Sequence, residues 1–103
     1  ICDRNSEKIE GAKAYFDEVN VTGYECYEDF DEFLKADTDA IIVATDAIYH
    51  VPFVIKAMDA GKHVLSEIPA VNSLEEAKML KKAVSSQIKY LYWHYADCAF
   101  KIL

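Results

Sequence analysis

The hydrophobic pattern of this chain changes period repeatedly, and that alternation limits the possible folds more than any single motif does. Residues 40–45, Ala-Ile-Ile-Val-Ala-Thr, form a nearly unbroken apolar run, and 63–66, His-Val-Leu-Ser, a shorter one. Around these runs the apolar positions recur at helical spacing. An apolar run of strand length suits a strand covered on both faces, as central strands of parallel sheets are. Strands alternating with helices need crossover connections, which build a parallel sheet between helical layers.

Individual elements follow from local signals. Ile1 and Cys2 read as the end of a strand. Ile9, Ala12, Phe16 and Val19 share one face of a helix from 6 to about 19. Residues 24–27 read as a short, weak strand. Asp29, with Glu32 three positions on, suits the start of a helix whose inner face is Phe30, Phe33 and Leu34. Asp37-Thr38-Asp39 turns the chain into the strand at 40–44. The next helix, about 51–60, has Pro52 in its first turn, a stripe of Val51, Val54, Ile55 and Met58, and Gly61 to stop it. After the strand at 63–66, Ser73 and Glu76 form a capping box for a helix with Ala77, Leu80 and Val84 inward. Glu75 and Glu76 at its start, and Lys81 and Lys82 near its end, match the helix dipole. An aromatic-rich strand at 89–93 completes the expected order β-α-β-α-β-α-β-α-β.

Size and composition narrow the function classes. A chain of 103 residues is one domain, and 52% hydrophobic with 28% charged residues is a globular composition. Eighteen acidic against eleven basic residues give a net charge of −7. That charge argues against a nucleic-acid backbone or an anionic membrane as the main partner. No apolar stretch reaches bilayer length. Cys2, Cys26 and Cys98 are odd in number, widely spaced and without a C-x-x-C pair. They read as reduced thiols of a cytoplasmic protein. His94, four residues before Cys98, is half a metal site that nothing completes, so no metal is expected. Tyr90, Tyr92, Trp93 and Tyr95 read as a core strand emerging at an interface rather than a base-stacking platform, because no basic residues interleave with a −7 chain. No G-x-S-x-G elbow is present to support a serine nucleophile.

In parallel sheets ligands bind beyond the carboxyl ends of the strands. Those ends carry Asp3, Thr45 with Asp46, and Glu67. Asp3 suits hydrogen bonds from ribose hydroxyls, and equally an ordinary helix-start role in the turn Asp3-Arg4-Asn5-Ser6. Arg4 suits an adenine face or a 2′-phosphate. His50 either caps the following helix or faces the crevice, with the structural role favoured, and His63 reads as a solvated strand-edge residue. In Glu67-Ile68-Pro69 the acid suits ribose or substrate hydroxyls, Pro69 fixes a turn, and a trans Ile68–Pro69 bond is expected. Gly11, Gly23 and Gly61 form no G-x-G-x-x-G, the loop that would bring backbone amides to a diphosphate.

The series Cys2-Asp3-Arg4, Tyr27-Glu28-Asp29-Phe30, Asp39-Ala40-Ile41-Ile42-Val43-Ala44-Thr45, His50, Ala60-Gly61-Lys62-His63-Val64-Leu65, Glu67-Ile68-Pro69 and Leu74-Glu75-Glu76-Ala77 resembles the Gfo/Idh/MocA family, the glucose–fructose oxidoreductase and inositol dehydrogenase group. The resemblance runs to about Tyr92, and Asp39 through Glu76 is its specific part. It implies a two-domain NAD(P)-dependent enzyme whose N-terminal Rossmann domain holds the cofactor. A C-terminal open-faced mixed sheet would form the substrate pocket and oligomer interface. It further implies that Asp3 holds the adenosine ribose, that Thr45 and His50 belong to a T-x-x-x-x-H stretch beside the cofactor, and that Glu67 and Pro69 match the ends of an E-K-P motif. Asp46 stands where the family commonly has Pro, and Ile68 where it has Lys. A lysine there bonds the reacting hydroxyl and favours its deprotonation, whereas isoleucine has no proton to exchange. Some relatives with an apolar residue at this point are NAD-dependent glycosidases that work through transient oxidation.

The sequence thus predicts an α/β fold, a partial doubly wound parallel sheet (Rossmann-like) lacking the first strand and glycine loop. Residues 1–93 are read as an incomplete dinucleotide-binding domain and 94–103 as the start of a connection toward a C-terminal substrate domain. The expected function is NAD(P)-dependent hydride transfer on a sugar, polyol or related substrate, with NAD slightly favoured over NADP. Asp3, Arg4, Thr45, Asp46, His50, Glu67 and Pro69 are the expected cofactor-side residues, and no catalytic residue is assigned. The alternatives are a redox-assisted glycoside hydrolase and a non-catalytic sensing module. A cytoplasmic homo-oligomer is the expected setting. The chain opens without Met inside a strand and reads as part of a longer protein, with about 30 to 40 residues of a first βα unit preceding it. Two sheet edges would then lie unpaired, which predicts instability or aggregation of these residues alone.

Overall fold

A computed structural model describes residues 1–86, 91–95 and 98–102, with side chains for 1–86. The chain forms two compact units, 1–37 and 38–103.

In the first unit, α1 (Ser6–Glu18) starts where Asn5 Oδ1 accepts the Glu7 N–H at 2.9 Å. Ile9 is buried and Phe16 half-buried, its ring edge-on to Tyr24 at 4.7 Å. Val19, expected on the same face, is exposed. The helix stops because Asn20 adopts a φ of 58°. Asn20 N–H then bonds Asp17 O and Val21 N–H bonds Phe16 O, satisfying carbonyls that the last turn leaves open. The short α2 (Phe30–Phe33) begins as its spacing predicts, with Asp29 Oδ1 accepting the Glu32 N–H at 2.9 Å. The strands expected at 1–2 and 24–27 reduce to one parallel bridge, Cys2 to Tyr27. Its bonds run from Asp3 N–H to Tyr27 O at 3.1 Å and from Tyr27 N–H to Ile1 O at 2.9 Å. Among the described residues these segments pair only with each other, and two-stranded pairing is marginal without a third strand.

The second unit is a sheet in the order β1-β2-β3-β4. β1 (Ala40–Val43), β2 (His63–Glu67) and β3 (Leu91–Tyr95) are parallel, with Ala40 opposite His63 and Val64 opposite Leu91. β4 (Cys98–Ile102) runs antiparallel to β3, within the stretch read as a connection. A 3-10 turn (Ala47–Tyr49) leads into α3 (His50–Asp59), and α4 (Leu74–Ser85) joins β2 to β3. The predicted stripe of α3 is buried at Val51, Val54 and Met58, with Ala57 added, and packs on β1, β2 and α4. Leu80 and Val84 are the buried positions of α4. Gly61, at φ 79°, closes α3: its N–H bonds Met58 O, and Lys62 N–H bonds Ala57 O. Lys62 Nζ reaches Thr38 O at 2.7 Å and His63 N–H reaches Asp39 O at 2.9 Å, which sets the start of β2 against the start of β1. His63 is therefore a half-buried strand residue rather than a solvated one.

β1 departs from the expectation of burial on both faces. Ile41 and Val43 are each 4% exposed, but Ile42 between them is 69% exposed. Among the described residues β1 lies at the edge of the sheet, and α3 packs on it. The aromatic strand is described over Leu91–Tyr95; Lys89 and Tyr90, where it is expected to begin, lie outside the described residues, as do the side chains of Tyr92, Trp93, His94, Tyr95 and Cys98.

Candidate functional site

β1 and β2 finish side by side, with Val43 opposite Ser66, and the chain leaves them at Thr45-Asp46 and Glu67-Ile68. Thr45 and Asp46 are exposed, and Asp46 opens the 3-10 turn without capping it through its side chain. Glu67 closes β2 and is half-buried. Ile68 is 48% exposed, Pro69 is exposed, and the peptide between them is cis, where trans was expected.

His50 lies beneath this edge, 1% exposed. Its Nε2 is 2.9 Å from Thr45 O and its Nδ1 is 2.9 Å from Pro69 O. With a carbonyl at each ring nitrogen, neither nitrogen is left for a ligand, so the expectation of direct cofactor contact gives way to an internal role. Asn72 makes a second cross-contact, its Nδ2 donating to Ala47 O at 2.8 Å. Asn72 was not singled out from sequence; its only local signal is its position just before the cap of α4. That cap is a shifted capping box: Ser73 Oγ accepts the Glu76 N–H at 3.1 Å, but Glu76 Oε2 accepts from Asn72 N–H rather than Ser73, at 2.6 Å.

Asp3 and Arg4 belong to the other unit. Asp3 Oδ1 accepts the Asn5 N–H at 2.8 Å, and Oδ2 is 3.8 Å from Lys8 Nζ. The helix-start role is therefore real, yet an ionised carboxylate has about four acceptor positions and keeps capacity for sugar hydroxyls. Arg4 is exposed. Burial pushes the neighbouring Cys2 thiol above its ordinary range.

Carboxylates and a hydroxyl at strand ends suit hydrogen bonding to sugar hydroxyls. A dinucleotide's diphosphate needs backbone N–H groups in a glycine loop. Gly11 lies inside α1, Gly23 in a loop at φ 75°, and Gly61 in the closure of α3, so none provides that cradle. Acceptors of the kind a ribose needs are thus present within each unit, and a cradle for a diphosphate is not found among the described residues. Ile68 offers no acid or base to a bound alcohol. Among the described residues no three His, Cys, Asp or Glu side chains gather as a metal site requires, and no helix is long and apolar enough to cross a membrane.

Comparison with known proteins gives consistent relatives. Residues 1–95 match the Gfo/Idh/MocA model, described as an oxidoreductase family with an NAD-binding Rossmann fold. Glycosyl hydrolase family 109 protein 1 of Bacteroides fragilis is 31% identical over 81 residues, covering 74% of this chain and 18% of that protein. The WlbA dehydrogenase from Bordetella pertussis, solved with NADH and UDP-GlcNAcA, superposes with a TM-score of 0.79 at 29% identity, covering 91% of this chain and 27% of that one. A 3-ketoreductase from Actinomadura kijaniata, solved with TDP-benzene and NADP, gives 0.73 at 28% identity over 90% of this chain and 28% of that one. The chain thus spans less than a third of the length of each of these relatives.

Proposed function

Because the chain belongs to the Gfo/Idh/MocA oxidoreductase family, with its NAD-binding Rossmann fold, we propose that it is the core of the cofactor domain of an NAD(P)-dependent enzyme acting on a sugar, polyol or sugar-nucleotide substrate. When bound, the nicotinamide accepts or returns a hydride at a carbohydrate carbon. The observation that carries this reading is the convergence of Thr45, Asp46 and Glu67 at the ends of adjacent parallel strands, the position where such sheets bind ligands. In this reading Glu67, Thr45 and Asp46 accept or exchange hydrogen bonds with hydroxyls of cofactor or substrate, and Pro69 shapes the turn that carries them. Asp3 and Arg4 serve the adenosine end, Asp3 through the acceptor capacity that its bond to Asn5 leaves unused. Relatives are solved with NADH and with NADP, and the reading takes either cofactor.

A second reading is supported by Ile68 and by the family 109 glycosyl hydrolase likeness. With an aliphatic side chain at the turn, net alcohol oxidation lacks its nearby proton acceptor. A cycle in which the sugar is oxidised, the glycosidic bond cleaved and the same hydride returned would give hydrolysis with no net change in cofactor.

Titration of the full-length gene product with NADH and NADPH, followed by turnover with NAD+ or NADP+ on polyols, sugar nucleotides and glycosides, tests both. Binding with NADH accumulation on a polyol or sugar nucleotide supports the dehydrogenase. Binding with glycoside cleavage and no accumulation supports the hydrolase. Absence of NADH and NADPH binding overturns both.

A further inference from the structure

We propose that His50 and Asn72 are positioning residues: they fasten the two strand-end loops to each other, so that Thr45-Asp46 and Glu67-Ile68-Pro69 meet the cofactor as one rigid edge. The proposal rests on the cofactor reading above for its ligand, but the fastening itself is independent of it.

Loops that carry binding groups are ordinarily the mobile parts of an α/β fold. Here two side chains tie them in opposite directions. His50, the first residue of α3, sets its ring between Thr45 O of its own loop and Pro69 O of the other, 2.9 Å from each. Asn72, from the loop after β2, reaches back to Ala47 O. The loops are joined at two separated points, which prevents one pivoting about the other. The contacts of both side chains are with backbone carbonyls, so they use neither the Thr45 hydroxyl nor the Asp46 carboxylate. A neutral imidazole carries one N–H and donates to one of these carbonyls at a time, whereas the Asn72 amide donates to its carbonyl in one fixed arrangement.

Groups held in place before binding lose less freedom when a ligand arrives, so fastening contributes to affinity more than to the chemical step. Asn72 is exposed, and Asn72→Ala keeps the backbone N–H that caps α4 through Glu76, so this variant folds. Losing its tie is expected to raise the NADH Kd about fivefold, the effect of one hydrogen bond's net worth. The KM for cofactor then rises by more than kcat falls. His50→Gln, which cannot span two carbonyls on opposite sides, is the second variant and shifts Kd in the same direction.

The experiment is hydrogen exchange and NADH titration of the full-length gene product carrying Asn72→Ala. Faster exchange in both 45–49 and 69–73, with weakened NADH binding, supports the proposal. Faster exchange confined to 69–73, or an unchanged NADH Kd, overturns it. If the unmutated protein binds no nicotinamide cofactor, the functional reading fails; the exchange arm then decides the fastening alone, loosening of both loops sustaining it and loosening of one rejecting it.

Discussion

Ile41 and Ile42 are chemically identical neighbours on β1, and the structure assigns them opposite energetic weights. Ile41 is 4% exposed and Ile42 69% exposed. Ile→Ala removes three carbons, worth about 0.8 kcal/mol each when fully buried, and the cavity left behind adds to that. Ile41→Ala is therefore expected to destabilise by about 3 kcal/mol. At Ile42 only about a third of the side chain leaves water, so Ile42→Ala costs less than about 1 kcal/mol. Equilibrium urea unfolding of the full-length gene product reads both as shifts in midpoint at constant slope. Comparable losses at the two positions would refute the one-sided burial of β1 and restore the sequence expectation of a strand covered on both faces.

Other outcomes follow from particular contacts. Ile42→Lys is expected to raise the solubility of the chain with little change in urea midpoint, because it places a charge on an exposed apolar edge; light scattering against concentration checks it. Ser73→Ala removes the oxygen that accepts Glu76 N–H and should cost about 1 kcal/mol, seen in the same urea assay. In the full-length gene product, Asp3→Ala should weaken NADH binding, and an unchanged titration would remove Asp3 from the cofactor site. Burial raises the Cys2 thiol in the folded chain, so the pH profile of its alkylation should lie to the alkaline side of the urea-unfolded profile. The sign follows from linkage: burial favours the neutral thiol, and the stability it contributes is full below the unfolded thiol's range and lost as pH rises through the folded one. Coincident profiles would contradict it.

What the sequence disclosed is what short stretches determine. Asp29 with Glu32, Ser73 with Glu76, and Gly61 mark helix ends through contacts within a few residues, and the structure places those ends there. The Val51–Val54–Met58 stripe is likewise a property of one helix. The exposure of Ile42 was hidden because a continuous apolar run has the same pattern whether one face or both are covered. His50 was legible as a structural histidine, but its partner Pro69 lies nineteen residues away, and Ala47 lies twenty-five from Asn72. Contacts at such separation depend on the register of β1 against β2, which no local pattern encodes. Asp3 could not be resolved between helix start and ligand because its carboxylate has room for both.

The ion pairs Glu10–Lys13, Glu32–Lys35 and Glu75–Lys78 each join residues three apart. Such pairs need one turn of helix to form and no contact with a sheet. Part of their small stabilisation is therefore present in the unfolded ensemble too, where it favours nascent helices without widening the gap to the native state. The parallel ladders must instead join Ala40 to His63 and Val64 to Leu91 across an intervening helix. Closing those loops is the entropically expensive step. Charge reversal in these pairs should thus alter how much helix is present early in refolding, while the rate of reaching the native state is governed by when β2 finds its neighbours.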